Sequence, residues 1–248
     1  MVSLIINADD LGLTPAVSRG IFESITNGVV SRTSAMMCSE NSYLIKKYLK
    51  DLDGKIGLHL QLTDGTSKLD RSQIPSLVDE DGLFPKKSNL LGHINKEEIE
   101  LEWNAQMNAF LELGIQPSHL DTHHNVHRFP KAFKAICSIA QKYNLPVRPL
   151  SKIMAQKLES LGILQCCICL ESWPNKEVTT SSLVTYLVNF IKSHELLDKP
   201  VELMCHPGFV DKDLIKRSNY LDKRKLELEV FLDPELPKLL KSYNVNLL

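Results

Sequence analysis

Short apolar runs alternate along this chain with longer stretches in which apolar residues recur every three or four positions. SLIIN (3–7) is followed by a helical pattern from Pro15 to Asn27 that stops at Gly28. RTSAMMC (32–38) precedes a helix-like NSYLIKKYLKDL (41–52). KIGLHLQL (55–62) leads into an irregular segment and then KEEIELEWNAQMNAFLEL (96–113), a long helix ended by Gly114. SHLDTH (118–123) precedes a helix with Pro130 near its start that runs to Tyr143. PVRPL (146–150), LQCCICL (164–170) and VELMCH (201–206) complete the series, and VNLL at the C-terminus is a candidate eighth strand.

Strands alternating with helices predict βαβ units and a parallel sheet, and strands apolar on both faces fit a sheet covered by helices. Seven or eight such units in 248 residues predict an α/β fold of the (β/α)-barrel type rather than an open doubly wound sheet. No G-x-G-x-x-G or G-x-x-x-x-G-K-[ST] turn follows the first strand, which removes the usual nucleotide-binding signature. A single domain over 1–248 is expected. The segment at about 63–95 is too long for an ordinary connection and is expected to be an active-site loop insertion.

Charge narrows the function classes. Hydrophobic residues at 43%, charged ones at 24% and a net charge of −1 describe an ordinary globular protein with no bulk attraction for nucleic acid or an anionic membrane. No apolar run approaches the ~18–20 residues of a membrane span, and the N-terminus lacks the pattern of a signal peptide. Six cysteines in a chain without a signal-peptide pattern are expected to be reduced thiols in the cytoplasm. For the three in QCCICL (165–170), a β-rich core segment is the expectation, with a soft-metal site at 166–169 the rarer reading.

In a parallel barrel, chemistry sits where strands end and βα loops begin. Strand one ends in Asn7-Ala8-Asp9-Asp10, strand three carries His59, and strand four ends in Asp121-Thr122-His123-His124 with His127 beyond. Strand five bears Arg148 and strand seven ends in His206. Taken singly, Asp9 or Asp10 reads as a turn former and His59 as a satisfied core histidine. Taken together, they sort five strands' polar groups to one rim. Three histidines within DTHHNVH (121–127), out of eight in the chain, are not explained by structure alone. His119 reads as structural, and His93 and His194 as surface residues.

Two imidazoles and a carboxylate make an open site for a divalent cation, with room for water and substrate. His59, His123 and one acid of the Asp9–Asp10 pair would supply it. The other acid is then free to take a proton from the attacking water, and His206 to protonate a leaving group. Asp121 suits the orienting of an imidazole. This is the wiring of a metal-assisted hydrolase.

NADDLG (7–12), GLHLQLT (57–63), DTHHNVHRFP (121–130) and CHPG (205–208) together resemble the YdjC/ChbG family of carbohydrate deacetylases, and the match in order and spacing extends to SNYLDKRKLELEVFLDPEL (218–236). The resemblance implies a distorted barrel of the glycoside hydrolase/deacetylase type. It implies one divalent metal ion, Mg²⁺ or Zn²⁺, on Asp10, His59 and His123, with Asp9 as base and His206 as acid. Asp121, His124, His127 and Arg148 fall in substrate-binding or supporting positions. Where the family pattern often has a third consecutive histidine, this chain has Asn125, a position expected to line the site. The implied substrate is a small acetylated amino sugar, such as a chito-oligosaccharide or its phosphate, with Trp103 or Trp173 as a stacking surface or as core. A homodimer is the prior expectation. Two alternatives stand beside this reading: a metal-dependent phosphoesterase on a similar barrel and a non-catalytic carbohydrate-binding protein.

Overall fold

The computed structural model describes residues 2–86, 93–170, 177–193 and 199–248; Trp173 and His194 lie outside them. The described strands are β1 (Val2–Leu11), β2 (Arg32–Ala35), β3 (Ile56–Leu60), β4 (Leu120–Thr122), β5 (Ile168–Leu170), β6 (Val201–Cys205) and β7 (Val245–Leu247). All pair in parallel, in the order β4-β3-β2-β1-β6-β5, with β7 on the first residues of β1. Isolated parallel bridges Leu120↔Val147 and Val147↔Gln165 carry the sheet on from β4 towards β5. Among the described residues the result is a distorted (β/α) barrel of six strands joined through Val147, with β7 appended to β1.

The expected strand at 146–150 is reduced to the single bridging residue Val147. Pro146 and Pro149 flank it on either side, and neither can donate to a ladder. Likewise only Ile168–Leu170 of the expected 164–170 is strand, and 41–52 yields a 3₁₀ turn (42–44) and the four-residue α2 (Ile45–Tyr48) rather than a full helix. The long helices follow the sequence closely. In α1 (Pro15–Thr26), Thr14 accepts from the Val17 amide and Pro15 opens the first turn. The helix α3 (Lys96–Leu111) is capped by Asn95, and α4 (Pro130–Tyr143) ends on Asn144 in the left-handed conformation (φ 53°). The remaining helices are α5 (Lys152–Ser160), α6 (Thr180–Lys192), α7 (Lys212–Arg217), α8 (Asp222–Leu232) and α9 (Leu236–Ser242).

Three packing details position the rim. β1 is buried from Leu4 onward, and its register against β2 shifts between Ala8 and Leu11, where Asp10 takes φ 76°. This bulge breaks the two-residue alternation of a regular strand, so adjacent carboxylates reach the same cleft. A Cβ on Gly20 would lie 2.6 Å from Gly208 Cα, so only glycine lets α1 seat against the turn that follows β6. Gly57 of β3 leaves the space that the His119 ring fills, 2.4 Å from where a Cβ would stand, which makes His119 a packing residue.

The described part of the 63–95 segment packs against the body of the protein rather than standing away from it. Ile74, Leu77, Val78 and Phe84 are buried, and Thr66 bridges Leu83. The buried carboxylate of Glu102 on α3 accepts from the Lys68 and Leu69 amides and from Gln106. Trp103 is fully buried, and its Nε1 donates to the Gln61 carbonyl at 3.1 Å. It is core, and the stacking role for it is excluded.

Candidate active site

A cavity of about 580 Å³ opens at the carboxyl ends of β1, β3, β4 and β6, lined by Asp9, Asp10, His59, His123, His124 and His206 among others. Asp10 Oδ1 lies 3.5 Å from His59 Nε2 and 3.1 Å from His123 Nδ1. This oxygen is buried and has no hydrogen-bond partner, whereas Oδ2 accepts from Arg224 Nη2 of α8. Burial opposes the charge on Asp10, but the Arg224 guanidinium and the His123 ring outweigh it and hold the carboxyl well below its usual range.

The other face of His59 is fixed. Its Nδ1 is 2.7 Å from Asp121 Oδ1 and 3.1 Å from Ser34 Oγ. With Nδ1–H donated to Asp121, Nε2 is the nitrogen left facing Asp10. Burial works against protonation of this ring, yet the carboxylates of Asp121, Asp10 and Asp9 raise it to about 10. The pocket therefore has a marked preference for positive charge at this spot.

Asp9 has different company. Arg148 grips both its oxygens (Nη1–Oδ2 and Nη2–Oδ1, each 2.8 Å), and Asn7 Nδ2 donates to Oδ1 at 2.8 Å. The same guanidinium pairs with Asp121 Oδ2 at 2.8 Å and donates through Nε to Glu202 on β6. Burial disfavours the charge on Arg148, but three carboxylates more than compensate and push its pKa well above normal. His127 does not line the cavity. Its ring is buried between Thr122 Oγ1 (2.6 Å) and the Arg148 carbonyl (3.0 Å), where it braces the backbone of Arg148. Burial lowers it to about 4, which keeps it neutral.

His124 and Asn125 take left-handed backbone (φ 55° and 52°), and both line the cavity. His124 stacks on His123 with ring centroids 3.9 Å apart and bonds Thr63 Oγ1 through Nδ1 at 3.0 Å. Burial lowers its pKa to about 4. Across the cleft, His206 follows β6. Its amide donates to Glu227 of α8, its carbonyl accepts from Arg224, and its ring meets Tyr220 edge-on at 5.5 Å. Tyr220 in turn donates to the other oxygen of Glu227.

Arg224, Glu227, Tyr220 and Glu202 were not singled out from the sequence. For the first two a signal existed: their i, i+3 spacing places them on one face of a helix within 218–236, the stretch that resembles the family.

The donor set fits a divalent cation. Three ligand atoms, one each from Asp10, His59 and His123, lie within 4.8 Å of one another, and the Asp10 oxygen among them is buried without a donor. Asp9, His59 and Asp121 meet the same spacing, but Arg148 already neutralises both of their acids.

Comparison with known proteins finds relatives over nearly the whole chain. A crystal structure from Enterococcus faecalis V583, described in connection with cellobiose-phosphate cleavage, superposes with a TM-score of 0.90 at 33% identity, covering 100% of this chain and 97% of that one. A CE4 esterase from Streptococcus mutans shares the fold at a TM-score of 0.53 and 14% identity, over 99% and 84% of the two chains. A carbohydrate deacetylase of Clostridium beijerinckii is 30% identical over 99% of this chain and 97% of its own length. The model of the YdjC-like protein family matches residues 3–242, and the chain belongs to that family.

Proposed function

We propose that this protein is a metal-assisted hydrolase that removes N-acetyl groups from acetylated amino sugars, such as chito-oligosaccharides or their phosphates, and releases acetate. The observation that carries the reading is the division of labour between two adjacent acids. Asp10 keeps one oxygen without a donor beside two imidazoles, while Asp9 is held by Arg148 at the edge of the same cavity. The name carried by the Clostridium relative supports the reaction class.

Asp10, His59 and His123 would hold the cation. When bound, a divalent ion there supplies Lewis acidity towards an acyl oxygen and lowers the pKa of water, and two imidazoles favour Zn²⁺ or another transition ion over Mg²⁺. Asp9, oriented by Arg148 and Asn7, accepts the proton of the attacking water. His206, fixed through its backbone by Glu227 and Arg224, protonates the departing amine from the opposite wall. Asp121 holds His59 in the tautomer that presents Nε2. Lys86, Arg128 and Arg217 bring positive charge to the cavity wall, which suits a phosphorylated sugar.

A phosphoesterase would call for a second cation beside the first. The second donor group shares His59 with the first and is already compensated by Arg148, which weighs against that alternative. Cytoplasmic residence fits six free cysteines, none of them in a disulfide. No helix of the described residues is long and apolar enough to cross a membrane.

The test is to strip the protein of metal, reload it with single ions, and supply di-N-acetylchitobiose and its 6-phosphate. Acetate and free amine in equal amounts are expected. Phosphate release, or binding of the sugar without either product, would overturn the reading.

A further inference from the structure

The second strong donor cluster stands outside the cavity, on the opposite side of Arg148 from Asp9. Cys166 Sγ lies 3.4 Å from Cys167 Sγ and 3.9 Å from Glu202 Oε2. All three ligand atoms fall within 4.8 Å of one another. A tetrahedral zinc-class ion with Zn–S of about 2.3 Å and Zn–O of about 2.0–2.2 Å sets S···S near ~3.8 Å and S···O near ~3.6 Å. The observed 3.4 and 3.9 Å differ from those edges by only a few tenths of an ångström. Neighbouring residues in a regular strand point to opposite faces, so two adjacent sulfurs in contact are not what a sheet segment produces. Here β5 begins only at Ile168, and Cys166 and Cys167 precede it.

The surroundings also favour a cation. Among the described residues, Arg148 is the one guanidinium that pairs with Asp9, Asp121 and Glu202. Its Nε takes Glu202 Oε1, so Oε2 is left facing the Cys166 thiol at 3.9 Å, longer than a strong hydrogen bond. Cys167 is buried, whereas Cys166 is partly exposed and gives a route of entry and a place for a water ligand.

We propose that Cys166, Cys167 and Glu202 form a binding site for one soft divalent cation of the zinc and cadmium class, separate from the Asp10–His59–His123 site. Binding forms two metal–sulfur bonds and one metal–oxygen bond, and the two thiol protons pass to solvent. Because both thiols must lose their protons on binding, affinity rises with pH. Through Glu202, an ion here also touches the side chain that orients Asp9.

The experiment uses the full chain, reduced and metal-stripped, titrated with Cd²⁺ while the sulfur-to-cadmium charge-transfer absorption is followed. The nitrogen and oxygen donors of the cavity give no such band, so the result does not depend on the deacetylase reading. The band is expected to saturate at an intensity that corresponds to one thiolate-bound ion per chain, whatever the cavity takes up besides, and the bound ion to protect two thiols from an aromatic disulfide reagent. Cys166→Ser, at a partly exposed position, is expected to abolish it with unchanged thermal melting, and Cys137→Ser to leave it intact. Absence of a saturable band in the wild-type protein, or its persistence in a folded Cys166→Ser/Cys167→Ser variant, overturns the proposal.

Discussion

Two donor groups share His59 at the end of β3, and they differ in what already occupies them. Asp10, His59 and His123 form one; Asp9, His59 and Asp121 form the other, with the same limit on ligand spacing. In the second, the Arg148 guanidinium compensates both acids from within the protein. In the first, Arg224 takes one oxygen of Asp10, and the other has no hydrogen-bond partner and faces only the His59 and His123 rings. Leaving such a group buried and unpaired costs roughly 1–3 kcal/mol, more when it is charged, and something from outside must relieve it. Spacing alone therefore does not define a metal site. The state of the lone pairs does.

The comparison breaks most visibly at the histidines. His123→Ala, which touches only the Asp10 group, is expected to lose both bound metal and turnover, measured by elemental analysis and acetate release. His59→Ala should do the same, since the two groups have it in common. Retained metal in the double variant would show that neither group is the site. Asp9→Asn, by contrast, should keep the metal and lose turnover by about 10²–10⁴-fold, the usual contribution of a general base. Loss of metal in that variant would exchange the roles of the two acids.

Smaller effects sharpen the same contrast. Asp121→Asn should weaken metal affinity by roughly 10–100-fold, because His59 loses the partner that fixes its tautomer. Competition with a chelator reads this directly. Arg224→Met should act on the same quantity, by about tenfold, since it frees the second oxygen of Asp10 without disturbing Asp9. Tyr220→Phe removes only the hydroxyl bonded to Glu227 and keeps the ring against His206. It should lower kcat less than threefold and leave metal affinity unchanged, and a shift in affinity would tie the His206 wall to the metal group.

Much of this site was legible in the chain because strand ends concentrate polar residues, and Asp10, His59, His123 and His206 all follow or end apolar runs. The contrast between the two acids was not legible. Regular alternation would have turned Asp9 and Asp10 to opposite faces, and only the bulge with Asp10 at φ 76° explains how both reach one cavity. His127 looked like a member of the polar cluster, yet it serves as a brace for Arg148, a contact made across 21 residues. Arg224 is 214 residues from Asp10, a separation no local pattern bridges. The fold shows the same limit: the periodicity of α1, α3 and α4 marked them clearly, whereas the strand at 146–150 was lost to two prolines whose effect depends on ladder partners far along the chain.

The most direct test of the difference between the two donor groups is anomalous diffraction at the zinc edge from crystals of the loaded protein. One cavity peak is expected, with Asp10 Oδ1, His59 Nε2 and His123 Nδ1 each at about 2.0–2.2 Å and Asp9 still gripped by Arg148. A peak among Asp9, His59 and Asp121, with Arg148 displaced, would contradict it.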